Sequence, residues 1–385
     1  SVTTTTDGVS FVMLPPIQRT ALHLIHGYNE PFLSLSNQYS RALQSDGWRV
    51  VTVYLSGAPD TVIRQETIAD AVLFFDTSDA AMKGLKLGLV KHVRQLIQQH
   101  QPSLIIAQRY KPLYLALLGS AGSNIPVIGV AHAFGVLKNA MRRCLLRRFR
   151  QRLLLVGVSE AVTNDLRKDD HVLHKQALLN CIDAEVLEPR LLARATARER
   201  LQLQDDEFVF ANVGRLHDDK DQTTLIRAFA HIAAEVPQAK LLLIGKGKRE
   251  ASYRALIEEQ QLQERIILTG ALPNAATLFP AFDCYVSSSD REPFGIVLTE
   301  AMLARLPVIS TNCGGAPEVL GEHALYFSCG DDKKLAAQML CMLRKTPEQQ
   351  RQLGEQLYQR LQQQFSFPPF RKRLLAAVNS RISHP

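Results

Sequence analysis

Two carboxylates eight positions apart, Glu292 and Glu300, stand in the stretch Ser288 to Glu318, SSDREPFGIVLTEAMLARLPVISTNCGGAPE. Ser287, Ser288 and Ser289 read as the polar end of a strand, and the turn Pro293-Phe294-Gly295 opens a helix at Ile296. The first N–H groups of a helix have no partners inside it and attract anions. Carboxylates at this turn and along this helix can accept hydrogen bonds from ligand hydroxyls. Upstream, Gly214-Arg215-Leu216 is followed by Lys220. Arginine offers a planar fork for two phosphate oxygens and lysine adds a point charge.

The block EPFGIVLTEAM, with its E-x7-E spacing and the later Gly314-Gly315, resembles the signature of the retaining glycosyltransferases of family four. That resemblance implies a GT-B fold, an α/β architecture of two Rossmann-like domains facing each other across a cleft, with the donor held mainly by the second. Gly-Arg-Leu followed by lysine resembles the family's diphosphate-binding loop, so Arg215 and Lys220 would neutralise a departing nucleoside diphosphate. The backbone N–H groups of Ile296, Val297, Leu298 and Thr299 would help them. Glu300 would accept from the ribose hydroxyls, and Glu292 with the backbone of Phe294 and Gly295 would hold the donor sugar. Gly214 and Gly245 are close-approach glycines, and Leu272 lies where the family meets the nucleotide base. In the first domain, Gly27 stands where the family often carries a Gly-Gly pair near the phosphates. His132 follows a strand end, either as a packed histidine or, as the resemblance implies, close to the donor sugar.

The resemblance further implies retention of the anomeric configuration, a leaving phosphate oxygen taking the acceptor's proton. A double displacement would instead need a carboxylate under the anomeric carbon. Asp219-Lys220-Asp221 matches the D-x-D of metal-dependent glycosyltransferases, but the lysine inside it and the Gly-Arg before it favour a metal-free site without added cofactor. UDP is the expected donor nucleotide, with GDP and ADP as alternatives.

These residues need elements to place them. Apolar runs at Thr20 to Ile25, Trp48 to Leu55, Ala71 to Phe75, Leu104 to Ala107, Val127 to Val130 and Leu153 to Val158 predict a first parallel α/β unit, with helices over Leu33 to Asp46 and Lys86 to His100. Ser159 is a helix cap. Asn180-Cys181-Ile182-Asp183 resembles the family turn that closes the first domain. The pattern restarts with strands at Phe208 to Val213, Lys240 to Ile244, Ile266 to Gly270, Pro307 to Ser310 and Ala324 to Phe327. Helices over Asp332 to Leu343 and Pro347 to Gln364 follow. Phe367-Pro368-Pro369-Phe370 predicts a break before a last helix, Arg371 to Arg381, which would return to the first domain. The expected domains are residues 1–186, completed by 365–385, and residues 187–364.

At 385 residues and 46% hydrophobic content, the chain is long enough for two cores. Six scattered cysteines form no C-x-x-C pair, which fits reduced thiols in a cytoplasmic protein. The amino-terminal stretch shows no leader pattern, and no apolar run reaches the about 18 residues of a spanning helix. A net charge of +8 calls for an anionic partner. Residues 138–152, KNAMRRCLLRRFRQR, hold seven basic residues and no acidic one. An amphipathic helix bearing Arg142, Arg143, Arg147 and Arg148 reads as a surface for anionic lipid on the inner face of the plasma membrane, or as a solvated helix. Aromatics are not interleaved with the charges, which argues against nucleic acid. The expected partners are a nucleotide-sugar donor and a glycan or lipid-linked acceptor, in lipopolysaccharide or other envelope glycan synthesis. An epimerase or phosphorylase on the same fold, or an inactive binding subunit, remain the alternatives.

Overall fold

The structure of the chain, a computed structural model, describes residues 19–78 and 86–382. Residues 1–18, which carry the leader expectation, lie outside the described residues. The first sheet has seven strands: β1 (Thr20–Ile25), β2 (Arg49–Tyr54), β3 (Ala71–Phe74), β4 (Leu104–Gln108), β5 (Val127–Ala131), β6 (Leu153–Gly157) and β7 (His174–Ala177). Their order is β3-β2-β1-β4-β5-β6-β7. The second sheet has six: β8 (Phe208–Val213), β9 (Ala239–Ile244), β10 (Ile266–Gly270), β11 (Cys284–Ser287), β12 (Val308–Thr311) and β13 (Leu325–Phe327), ordered β10-β9-β8-β11-β12-β13. Strand pairs flanking β1 and β8 run parallel.

Helices α1 (Phe32–Gln44), α2 (Thr61–Glu66), α3 (Leu87–His100), α4 (Tyr110–Gly119), α5 (Ala140–Arg148) and α6 (Glu160–Arg167) connect the first strands. The short α7 (Ala184–Leu187) and α8 (Arg194–Arg200) precede β8. In the second half come α9 (Gln222–Ile232), α10 (Glu250–Glu259), α11 (Ile296–Leu303) and α12 (Ala316–Leu320). The chain then runs through α13 (Asp332–Arg344), α14 (Pro347–Gln364) and α15 (Phe367–Ile382). It packs as two compact units, one of described residues up to Val130 with Arg148–Leu154 and the stretch from Leu375, the other of Ala131–Arg147 and Leu155–Leu374.

Strands β1, β4, β5 and β6 are buried at every position, as expected of parallel strands covered on both faces. In the second unit Phe210, Leu225, Phe229, Leu241 and Leu335 share one core, each burial contributing about 1.5–3 kcal/mol. Both sheets reverse their order beside their first strand, at β1–β4 and β8–β11. Open parallel sheets bind ligands outside the carboxyl ends of the strands at such a switch point.

The expected break at Phe367 to Phe370 is instead the first turn of α15. Prolines are tolerated there because the N–H groups they lack have no helical acceptor. Two elements carried no clear sequence pattern: α4 is apolar almost all round, with most of its residues buried, so no amphipathic stripe marks it, and β7 is a polar edge strand, HKQA.

Candidate active site

The loops that leave the sheet at the β8–β11 switch point carry the charged residues. After Gly214 and Arg215, one 3-10 turn, Asp218–Lys220, delivers Lys220. Asp221 then caps α9, accepting from the Thr224 N–H at 3.3 Å and its hydroxyl at 2.6 Å. From the neighbouring strand, the buried Ser288 and Ser289 lead to Glu292. The two loops are laced together: Ser288 Oγ donates to Lys220 O at 2.8 Å, and the Asp290 N–H donates to Asp219 O at 3.2 Å. Lys220 Nζ thereby reaches Glu292 Oε2 at 2.7 Å, with the two side chains only 21% and 11% exposed. A carboxylate this buried needs such a partner. An ammonium carries three donors, so this bond uses one of them.

Glycine places Glu292 from behind. The Gly315 N–H donates to Glu292 O at 2.7 Å, and at Gly314, with φ +58°, a Cβ would stand 2.2 Å from the same oxygen. No side chain fits that approach. The signature loop also leans on the start of α6. There Ser159 Oγ accepts from the Val162 N–H at 3.1 Å while donating to Pro293 O at 2.5 Å. The Glu318 carboxylate accepts from the Glu160 N–H at 2.8 Å, and burial pushes its pKa above the usual range.

Arg215 lies open at the loop's edge, 71% exposed, with one arm 3.3 Å from Asp219. The other oxygen of Asp219 sits 2.5 Å from His217 Nδ1. Both acids of the D-x-D match are therefore engaged, Asp219 by Arg215 and His217 and Asp221 by α9. At Gly245 a Cβ would stand 1.8 Å from Gly214 O, so the two loops touch backbone to backbone, whereas nothing lies within 4 Å of a Cβ at Gly214 itself. Leu272 lines a groove of about 740 Å³ together with Arg190, Leu192, Asn274 and Thr277.

Helix α11 begins at Gly295, whose φ of +90° turns the chain. The expected row of four N–H donors narrows to two. Those of Leu298 and Thr299 close the first turn onto Gly295 O at 2.9 and 3.3 Å, which leaves Ile296 and Val297 with no acceptor among the described residues. Leu298 and Thr299 are buried, and the Phe294 ring packs edge-on against Phe365 at 5.7 Å, so Phe294 can meet a ligand only through its backbone. Glu300 follows on α11, partly buried. Burial first, then the charges of Glu292 and Glu300, push the Tyr285 phenol upward; both carboxylates thus lie near that ring on β11.

Three contributors have little signature in the sequence. Tyr285 donates to Val213 O at 3.3 Å. Gln222, fully buried, donates to Arg215 O at 3.1 Å and to Asn212 Oδ1 at 3.3 Å, and accepts from Tyr253 at 3.1 Å. The one available signal is Asn212, a polar residue inside the apolar strand FVFANV.

Other expected residues stand on the first sheet: Gly27 just after β1 and His132, half-buried, just after β5. On α5, Arg143 is tied to Leu137 O and Lys138 O at 3.0 Å and to Asp169 at 3.4 Å, and Arg142 donates to Val136 O at 3.4 Å. Arg147 and Arg148 are exposed, as is Met141. The helix ends at Arg148, short of Arg152, which donates to Leu117 O, Ser120 O and Ile125 O near the end of α4. Arginine at a helix carboxyl end satisfies its last carbonyls.

Two family models match the chain, Glycosyltransferase Family 4 over residues 37–183 and Glycosyl transferases group 1 over residues 193–360. The chain belongs to these glycosyltransferases. The group 1 match contains the whole constellation from Gly214 to Glu300. This glycosyltransferase is 30% identical over 215 residues, 54% of this chain and 55% of the relative, to N-acetyl-alpha-D-glucosaminyl L-malate synthase of Bacillus anthracis. It is 35% identical over 147 residues, 38% of this chain and 42% of the relative, to the lipopolysaccharide core biosynthesis glycosyltransferase LpsD of Rhizobium meliloti. The glycosyltransferase thus spans about half the length of the curated relatives it matches. In structure it is similar to HepE of Anabaena, solved in complex with UDP and glucose, with a TM-score of 0.77 and 21% identity over 94% of this chain and 99% of that one. That likeness shows the GT-B fold, with its two Rossmann-like α/β domains.

Proposed function

We propose that this glycosyltransferase moves a sugar, with retention of anomeric configuration, from a UDP-sugar to a glycan or lipid-linked acceptor of the cell envelope, such as a lipopolysaccharide core. The observation that carries the reading is the Lys220–Glu292 pair held on the Gly314-Gly315 cradle, beside the exposed Arg215 and the two N–H groups that open α11. The UDP bound by HepE supports the nucleotide, and the similarity to LpsD supports the acceptor class.

In the reaction the bond from the anomeric carbon to the diphosphate breaks and negative charge collects on the leaving oxygens. Arg215, Lys220 and the N–H groups of Ile296 and Val297 take up that charge. Losing one such donor typically costs on the order of 3 kcal/mol of transition-state stabilisation. Glu300 accepts from the ribose hydroxyls. Glu292, already oriented by Lys220, accepts from hydroxyls of the sugar. The leaving phosphate oxygen takes the acceptor's proton on the face it vacates, and no metal ion or further cofactor takes part. Proton NMR of the product formed in the presence of EDTA tests this directly. The expected result is the donor's own anomer at an undiminished rate. An inverted anomer, or activity lost to EDTA and restored by a divalent ion, contradicts the mechanism.

A further inference from the structure

The backbone that cradles Glu292 is flanked by two thiols. Cys313 and Cys329 follow β12 and β13, neighbouring parallel strands in which Thr311 pairs with Phe327. The Asn312 N–H donates to Phe327 O at 3.1 Å, which closes that last pair of the ladder. Cys313 and Cys329 each stand two residues past that pair. Neighbouring strands lie about 4.8 Å apart, within the roughly 4.4–6.8 Å between Cα atoms that a disulfide spans. Burial, a hydrogen bond with the Cys313 thiol and the nearby charge of Asp290 push the Cys329 thiol up to about 11. Cys313 Sγ also donates to Ser289 O at 3.0 Å. Cys329 is exposed and Cys313 half-buried, so a reagent reaches the pair from the Cys329 side.

We infer that Cys313 and Cys329 form a two-thiol modification site, which a small-molecule disulfide such as oxidised glutathione closes into a Cys313–Cys329 bond, and that closure weakens donor binding. In alkaline solution the Cys329 thiol gives its proton to hydroxide, and the thiolate attacks one sulfur of the reagent, whose S–S bond breaks to release a thiolate. The Cys313 thiol then loses its proton and attacks the mixed disulfide at Cys329 Sγ, expelling the second thiolate. Two electrons pass from the protein to the reagent, which leaves as two thiols. Closure withdraws Cys313 Sγ from Ser289 O and drags the residue next to Gly314. That backbone has no slack, because a Cβ at Gly314 would already stand 2.2 Å from Glu292 O, and Gly315 bonds the same oxygen at 2.7 Å. The effect on binding rests on the donor reading above; the thiol chemistry does not.

Both cysteines lie between Arg305 and Lys333 with no lysine or arginine between, so trypsin releases them on one peptide. The protein is treated with oxidised glutathione and digested, and UDP affinity is measured by calorimetry on the same sample before treatment, after it, and after dithiothreitol. The expected peptide is lighter by two hydrogen atoms, and absent from the Cys329→Ser variant. The expected Kd for UDP rises at least about tenfold, returns with dithiothreitol, and does not rise in Cys329→Ser. A peptide that keeps its reduced mass, or carries only glutathione, overturns the site. A closed disulfide with unchanged UDP affinity overturns the coupling. UDP that binds neither form overturns the coupling through the donor reading, and the peptide mass still decides the site.

Discussion

Gly314 and Gly214 are both glycines at the site, and the structure gives them opposite tolerance. An alanine at Gly314 would need an unfavourable positive φ and would press on Glu292 O; left-handed backbone alone costs roughly 1–2 kcal/mol for such a residue. Gly314→Ala should therefore lower stability by about 2 kcal/mol or more, read by urea unfolding. Gly214→Ala, with open space around it, should stay within about 0.5 kcal/mol of wild type. Equal costs would contradict the close packing described. Elsewhere, His23 is wholly buried on β1, its Nε2 accepting from Gln108 at 3.0 Å and its Nδ1 3.3 Å from Ser40 Oγ, and burial pushes its pKa down to about 3. The unfolded chain protonates this histidine near pH 6.5 and the folded chain does not. Stability is therefore fully present above about pH 6.5 and falls toward pH 3, by up to about 1.4 kcal/mol per pH unit. Unfolding free energies measured across that window should show the slope, and His23→Gln should lose its His23 share; an unchanged slope would contradict the assignment. At this scale the sequence exposed the charged residues, because Arg215, Lys220, Glu292 and Glu300 sit in loops and a helix start with recognisable spacing. Gln222 and Tyr285 were not legible, because their roles depend on what a buried side chain meets across the sheet.

Among the elements, α5 separates charge from availability. Residues 138–152 read as one continuous basic helix, yet Arg142 and Arg143 are drawn back to local carbonyls and Asp169, and Arg152 leaves the helix to serve α4. If the helix meets anionic lipid, Arg147 and Arg148 carry the contact, together with the exposed Met141. Each basic residue near such a surface contributes about 1 kcal/mol. The double variant Arg147→Glu, Arg148→Glu should then lose most co-sedimentation with phosphatidylserine vesicles at low salt, while Arg142→Gln retains most of it. Equal losses, or no binding by wild type, would remove the lipid role. Strand positions were readable because buried parallel strands form short apolar runs. The register of α15 was not, since Pro368 and Pro369 look like a break unless the helix is known to start with them.

For the whole molecule, the order of the second sheet explains why residues 70 to 80 positions apart in sequence form one site. β8 and β11 are neighbours at the switch point, and their loops carry Lys220 and Glu292 to 2.7 Å. The two-sheet α/β class follows from the repeated strand and helix pattern, whereas the lacing of the two loops through Ser288 and Asp290 had no sequence signal. The central claim is that this constellation holds a nucleoside-diphosphate sugar through Arg215 and Lys220. The most direct measurement is thermal unfolding of wild type and Arg215→Ala with UDP, GDP and ADP. At 100 times its dissociation constant a ligand stabilises the fold by about 2.7 kcal/mol. UDP should raise the melting temperature of wild type most, with the rise largely lost in Arg215→Ala while its unliganded melting temperature is unchanged. Equal rises in the two proteins, or no rise with any of the three nucleotides, would contradict the account.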